Sequence, residues 1–485
     1  MVTATLWNKI NTCCSANVGR RVMAIRVTLV NPPYPKKAHQ HPALIPLSLG
    51  YLGAVCEENG YDVSIIDCQA EKLDYESFER RLKGVESDVI GITSATLTYK
   101  PALRIAEIAK EIFPNSIVIL GGCHATFWDE NAFKESPHID VIVRKEGELT
   151  FLELLDKIKA GKKIDEVKGI TYKAENGTIV RNEDRPYIED LDSLPYPAHH
   201  LLKLNLYIKY GKLIIPVMTS RGCVYWCDFC CAVRMFGRKY RMRDPIKVVD
   251  EIEYMHKTFG TDQFTFYDDA FSVDAQRTEK ICDEIVKRRL DIKWDCETRV
   301  DMVSRALLEK MKRAGCIAIW FGVESGSQLI LDKMHKKIRI EQTRRAFKTA
   351  QEVGLMTVAS VILGFPGETE ETAMETVNFV MSLDPHDVGF YIATPYPGTP
   401  LYDLVKSKGW LKTEDFEKYD TATPVFETPY LSMEKLKEIR EKAYRRFYLR
   451  PNYVMKMLKI GGVYGISAVR TSLAYLLRTL HLRLS

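Results

Sequence analysis

Short apolar runs alternate with amphipathic segments twice along this chain, and that alternation limits the fold more than any other feature. In residues 24–150 strand signals fall at 25–33, 62–68, 87–96, 116–126 and 140–148, with helical segments at 47–60 and 100–113. Strands separated by helices pair in parallel and are covered on both faces. This stretch is therefore expected to form a doubly wound parallel-sheet α/β domain. Such domains bind ligands beyond the carboxyl ends of their strands.

A second run has strand signals at 213–220, 263–269, 292–299, 316–323, 357–364 and 387–394. Helical segments at 245–258, 275–289, 303–313, 341–353 and 369–382 fill the gaps. Six β/α units with right-handed crossovers predict a partial (β/α)6 TIM-like barrel over 205–400, with its chemistry at the carboxyl end. The stretch 151–204 reads as a linker with a small hairpin turned at Asn176-Gly177. From 401 to 485 the pattern turns helical and basic, which suits a packing domain, a peripheral contact with a membrane surface or an apolar substrate channel.

Lys+Arg 69 nearly balances Asp+Glu 64, and no basic stripe stands out, so no nucleic-acid partner is expected. Most of the 12 cysteines sit in apolar runs and read as free thiols of a reducing compartment. The first 22 residues lack the apolar core of a signal peptide, and no 18-residue apolar stretch follows. A cytoplasmic chain, with membrane association through its carboxyl-terminal region as the variant, is the expectation.

The sharpest local signal is "TSRGCVYWCDFCCA", in which Cys223, Cys227 and Cys230 are spaced C-x3-C-x2-C just after the first strand of the second run. Thiolates are soft ligands for iron–sulfur clusters or zinc. Three of them hold three irons of a four-iron cluster and leave the fourth open. A zinc site would want a fourth ligand, for which only Cys231 is adjacent.

This segment, with the six β/α units around it, resembles the radical S-adenosylmethionine superfamily. The resemblance implies a [4Fe-4S] cluster on the three cysteines and S-adenosylmethionine on its open iron, cleaved to methionine and a 5′-deoxyadenosyl radical. It also implies a low-potential electron donor such as a ferredoxin or flavodoxin. By the same resemblance Asp268 and Asp269 would receive the methionine amino group. Arg299 would pair with its carboxylate, and Glu324 would make a polar contact. Gly364 and Gly367 in "LGFPGET" would admit the adenosyl part.

The amino-terminal stretches "NPPYP", "PLSLGYLGA", "GITSAT", "GGCHAT" and "RKEGE" resemble the cobalamin-binding domain fused to many such enzymes. That likeness assigns Ser94, Thr96, Gly121, Gly122 and His124 to cobalamin and its nucleotide tail. The D-x-H-x-x-G loop whose histidine binds cobalt is missing, and neither His39 nor His41 replaces it in a motif. The branch implies transfer of a methyl group to an unactivated carbon. The alternatives are ring formation or carbon–carbon bond formation on a tetrapyrrole or lipid, a further radical rearrangement or oxidation, and a non-enzymatic cobalamin scaffold. Tyr207, Tyr210, Tyr391 and Tyr396 are candidates for lining a substrate pocket, but no residue separates peptide, lipid and tetrapyrrole.

Overall fold

A computed structural model describes residues 25–36, 43–209 and 211–479. His39, His41, Tyr210 and the first 22 residues lie outside them.

The first sheet contains β1 (Arg26–Asn31), β2 (Asp62–Asp67), β3 (Val89–Thr93), β4 (Ile117–Gly121), β5 (Val141–Val143), β6 (Ile170–Lys173) and β7 (Ile179–Arg181). Its order is β2-β1-β3-β4-β5-β6-β7. The first five strands are parallel, and β6 and β7 join antiparallel. Val27, Leu29 and Val30 are buried along β1, as a strand covered on both faces requires.

Two strands end sooner than their apolar runs suggest. The run 116–126 is strand only to Gly121; Gly122 then takes φ +94 and Cys123–Phe127 is helical. A Cβ on Gly122 would lie 2.6 Å from the Ser94 carbonyl oxygen, so only glycine makes this turn beside β3. The run 140–148 is strand only at Val141–Val143, and Glu148 already opens the helix Glu148–Lys159. The helix Tyr75–Lys83 was not anticipated, because it is mostly charged and buries only Phe78 and Leu82. The hairpin at Asn176-Gly177 forms, and it extends the first sheet rather than standing in a linker. The buried Arg144 fixes it by donating to Thr171 Oγ1 (2.5 Å), the Asn182 carbonyl (2.6 Å) and Asp184 (2.8 Å).

The second sheet contains β8 (Ile208–Lys209), β9 (Lys212–Val217), β12 (Gln263–Phe266), β13 (Lys293–Thr298), β14 (Cys316–Glu324), β15 (Met356–Leu363) and β16 (Asp387–Ile392). A small antiparallel pair, β10 (Ser220–Arg221) and β11 (Arg241–Met242), leaves its carboxyl end. The order β16-β15-β14-β13-β12-β9-β8 leaves two edges, so this is an open half-barrel of six parallel strands with β8 as an antiparallel fringe. Its helices start where short polar side chains cap them: Asp244, Asp274, Ser304 and Thr369 each accept from backbone N–H groups of the first turn. Phe264, Phe266, Phe271 and Trp294 fill the layer behind β12 and β13. Each such side chain contributes about 1.5–3 kcal/mol by leaving water.

Beyond the barrel the expected helical region is interrupted. Pro400–Ser407 is helical, but helix resumes in earnest only at Met433–Tyr448, Pro451–Ile460 and Gly462–Thr479. Phe416, Tyr419, Val425 and Phe426, in the intervening stretch, pack with Tyr99, Ala102 and Ile105 of the first domain. That segment therefore straps the two halves together. Among the described residues no helix is long and apolar enough to cross a membrane.

Candidate active site

The cysteine loop is carried between β10 and β11. Gly222 opens it at φ +91, where a Cβ would sit 2.5 Å from the Lys239 carbonyl oxygen. Asp228 ties the loop down: its N–H donates to Met334 (3.1 Å), and its carbonyl accepts from Leu401 N–H (3.0 Å). Cys223, Cys227 and Cys230 are half-buried free thiols, and the Ala232 N–H points at Cys230 Sγ (3.5 Å). Burial pushes all three thiols up, while the cations of Arg299 and Lys336 pull Cys223 and Cys227 back toward the thiolate. No three His, Cys, Asp or Glu side chains among the described residues converge on a single metal ion. A cluster does not need such convergence, because each thiolate binds its own iron. Three thiols on one short loop, with an N–H aimed at sulfur, fit a four-iron cluster.

Of the six residues assigned to S-adenosylmethionine, Asp269 alone opens onto the large cavity beside this loop. That cavity has a volume of about 540 Å³. Asp269 accepts from Gly222 N–H (3.2 Å); burial and the neighbouring Asp268 charge push its carboxyl up to about 6. Asp268 does not line that cavity. Its oxygens accept from Thr219 N–H (3.0 Å), Thr219 Oγ1 (2.8 Å) and Ser220 Oγ (2.7 Å), so it is buried and spent on joining β12 to the start of the loop. Arg299 is likewise committed, to Asp301 (2.9 and 3.0 Å) and the Lys336 carbonyl (2.9 Å), with its guanidinium 3.4 Å over the Tyr225 ring. It props the cysteine loop instead of waiting for a carboxylate.

Glu324 ends β14 at φ +62, uncommon for a residue with a side chain, and accepts from Lys336 Nζ at 2.6 Å. The pair is buried beside Cys227. Gly364 and Gly367 also have positive φ, but their close neighbours are protein. A Cβ on Gly364 would lie 2.5 Å from Leu436, and one on Gly367 2.2 Å from Lys333 Nζ. Sequence reasoning missed Lys336, which sits in no motif.

The cavity's other wall is the first domain. It extends from Leu29, Gly91 and Ile119 on the sheet, under Leu49, Leu52 and Phe151 of the covering helices, up to Cys230, Cys231 and Asp269. A Cβ on Gly91 would stand 2.9 Å from Leu29 and 3.3 Å from Phe151, so glycine keeps this slot open. Ser94, Gly121 and Gly122 line it, with the Ser94 hydroxyl donating to the Gly121 carbonyl (2.9 Å). Thr96 and His124 do not. The turn at Gly122 carries His124 behind the sheet end, where Nδ1 meets Thr96 Oγ1 (3.2 Å) and the ring packs 4.1 Å from Tyr99 and 4.5 Å from Phe416. Burial lowers its pKa to about 3, so it is a neutral packing imidazole. Two polar atoms at the cavity, Tyr51 Oη and Glu148 Oε2, are buried without a partner. Unpartnered polar atoms, a glycine-lined slot and an apolar floor fit a large ligand edged with amides, as a corrinoid is.

Four buried charges clamp the halves around this cavity. Arg221, one residue before the loop glycine, donates to Glu146 (3.0 Å) and Glu148 (2.6 Å), and Arg241 donates to Glu146 (2.9 Å). Burial opposes charge on Glu148, but Arg221 outweighs it and holds the carboxyl below its ordinary range. The stretch "RKEGE", read in the sequence as a ligand turn, is thus largely an interdomain clamp. Of the tyrosine candidates, Tyr207 donates to Asp67 (2.6 Å) and Tyr396 is turned toward the Tyr419 carbonyl (3.4 Å), both as packing groups.

A half-barrel bearing a three-cysteine loop, closed over a doubly wound ligand-binding sheet, defines a two-domain radical enzyme class. Residues 217–380 match the radical SAM superfamily and residues 41–155 match the B12 binding domain. An uncharacterized methyltransferase of Pyrococcus horikoshii is 38% identical, covering 85% of this chain and 89% of its own. An anaerobic magnesium-protoporphyrin IX monomethyl ester cyclase of Rubrivivax gelatinosus is 32% identical, over 89% and 78%. The structure of OxsB, a cobalamin-dependent S-adenosylmethionine radical enzyme with aqua-cobalamin and S-adenosylmethionine bound, superposes with a TM-score of 0.74 at 21% identity, over 93% and 70%. The chain belongs to the radical SAM family, in the branch that carries an amino-terminal B12 binding domain. Its cofactors are a [4Fe-4S] cluster, S-adenosylmethionine and cobalamin, and it requires a reductant.

Proposed function

We propose that this enzyme is a cobalamin-dependent methyltransferase acting on an unactivated carbon. One observation carries the reading: a single cavity is lined both by the carboxyl ends of the first sheet and by Cys230, Cys231 and Asp269 of the half-barrel. When bound, the reduced cluster supplies one electron to S-adenosylmethionine, and cobalamin supplies a cobalt that carries methyl. The chain's own part is positional. Cys223, Cys227 and Cys230 hold three irons, and the Asp269 carboxylate receives an ammonium. Lys336 and Arg299 steady the loop and its anionic sulfurs. Leu49, Leu52, Ile119 and Phe151 keep water from the slot.

The reconstituted enzyme, assayed without oxygen, should yield both S-adenosylhomocysteine and 5′-deoxyadenosine. Cys223→Ala should lose the deoxyadenosine; its persistence would overturn the cluster assignment. Ring formation is the second reading, favoured by the 32% identical cyclase, and it would give deoxyadenosine without S-adenosylhomocysteine. A scaffold would give neither. The electron donor is a ferredoxin or flavodoxin. The outer side of the cysteine loop supports this, since Trp226 is 41% exposed there and flanked by Arg234 and Arg238, 5.6 and 5.5 Å from its ring.

A further inference from the structure

The last two helices are apolar on the wrong side for a packing module. Their inner side is filled: Tyr475 stacks on Tyr448 at 5.4 Å and Tyr444 at 5.8 Å, Tyr453 is buried against Phe447, and Met457 is buried. On the outer side Met455, Leu458 and Ile460 of Pro451–Ile460 are exposed, Leu458 at 58%. On Gly462–Thr479, Ile466, Arg470 and Leu473 follow one another by four and three residues, which puts them on one face. Ile466 and Leu473 are 55% and 49% exposed, and Leu476 continues the stripe.

Charge says what covers this face. From Lys442 to Ser485 the sequence has nine Lys/Arg and no Asp or Glu; Arg450 and Lys456 pair with Asp384, and the other seven still exceed the whole chain's net charge of +5. Lys442, Arg445, Arg446, Lys459 and Arg470 are all exposed. An acid-free segment with outward Leu, Ile and Met between cations matches an anionic bilayer surface: apolar side chains enter the acyl boundary and cations meet phosphates. A protein partner would have to supply both an apolar groove and a wide acidic rim. The helix Pro451–Ile460 stands at the amino-terminal end of the barrel strands, where Tyr453 Oη donates to the His386 carbonyl (3.2 Å) just before β16. The cysteine loop opens at the other end.

We infer that the helices 451–479 dock the enzyme peripherally on membranes rich in anionic lipid, with the cofactor mouth left free. The test is flotation of the reconstituted full-length enzyme with vesicles of phosphatidylcholine alone or mixed with phosphatidylglycerol. The enzyme should float with the mixed vesicles and stay behind with neutral ones, and high salt should weaken the binding. Leu458→Glu with Leu473→Glu should cut flotation by about tenfold while S-adenosylmethionine cleavage is unchanged. Equal flotation of this variant, or none of the wild type, would overturn the inference. So would sedimentation showing, without vesicles, that the same substitutions convert an oligomer to a monomer, which would make the face an interface between copies.

Discussion

Asp268→Ala would leave the Thr219 N–H and two hydroxyls without their buried acceptor. That should cost on the order of 3 kcal/mol, read as a lower melting temperature. Asp269→Asn keeps the acceptor for Gly222 N–H, so the fold should survive while S-adenosylmethionine affinity drops in equilibrium binding. Glu368 gives a pH signature. It is fully buried after β15, accepts from Gly364 N–H, and burial pushes it up to about 8. The folded enzyme therefore keeps a proton that the unfolded chain releases near the ordinary value of 4.5. Stability present below that value should be lost as pH rises toward 8, and Glu368→Gln should flatten the decline in denaturant titrations.

At the scale of elements, the cysteine loop works as a hinge-free bracket. Its ends are fixed by Gly222 and the β10–β11 pair, its middle by Asp228 and the Arg299–Tyr225 stack. The proposed donor contact on its exposed side, at Trp226 and Arg238, can be tested. Arg238→Glu should slow cleavage severalfold when a flavodoxin is the donor, yet leave dithionite-driven cleavage unchanged; equal effects on both would place the donor elsewhere. The first-sheet strands show how local pattern misleads. An apolar run extends to Thr126, but the strand stops at Gly121, because the backbone there must pass within contact of Ser94. That crowding comes from the end of β3, and within the run the Gly121-Gly122 pair is what marks it.

At the scale of the molecule, the two halves are held by Arg221, Arg241, Glu146 and Glu148 below the cavity and by the 416–426 strap behind the first sheet. Glu146→Ala would take the carboxylate from the buried Arg241 and one of two carboxylates from the buried Arg221. It should cost about 3–5 kcal/mol. Cobalamin should also be lost from the purified protein, read as missing corrin absorbance. The alternation of strands and helices, the open half-barrel and the cysteine triad were legible in the sequence, because periodicity and ligand spacing are local properties. Pairings between distant residues were not. Asp268 and Asp269 look alike as neighbours, yet burial against Thr219 spends one and leaves the other at the cavity. His124 sits beside the cavity-lining glycines in sequence, but one turn carries it into an aromatic layer partly built by Phe416. "RKEGE" marks a strand end, and only the arrival of Arg221 from the second domain makes it a clamp. The sequence alone determined the cysteine spacing that marks a radical initiator, and it left methyl transfer and ring formation both open. Tertiary structure decided which polar groups remain free to meet a ligand, because a side chain's partners come from wherever the fold brings them.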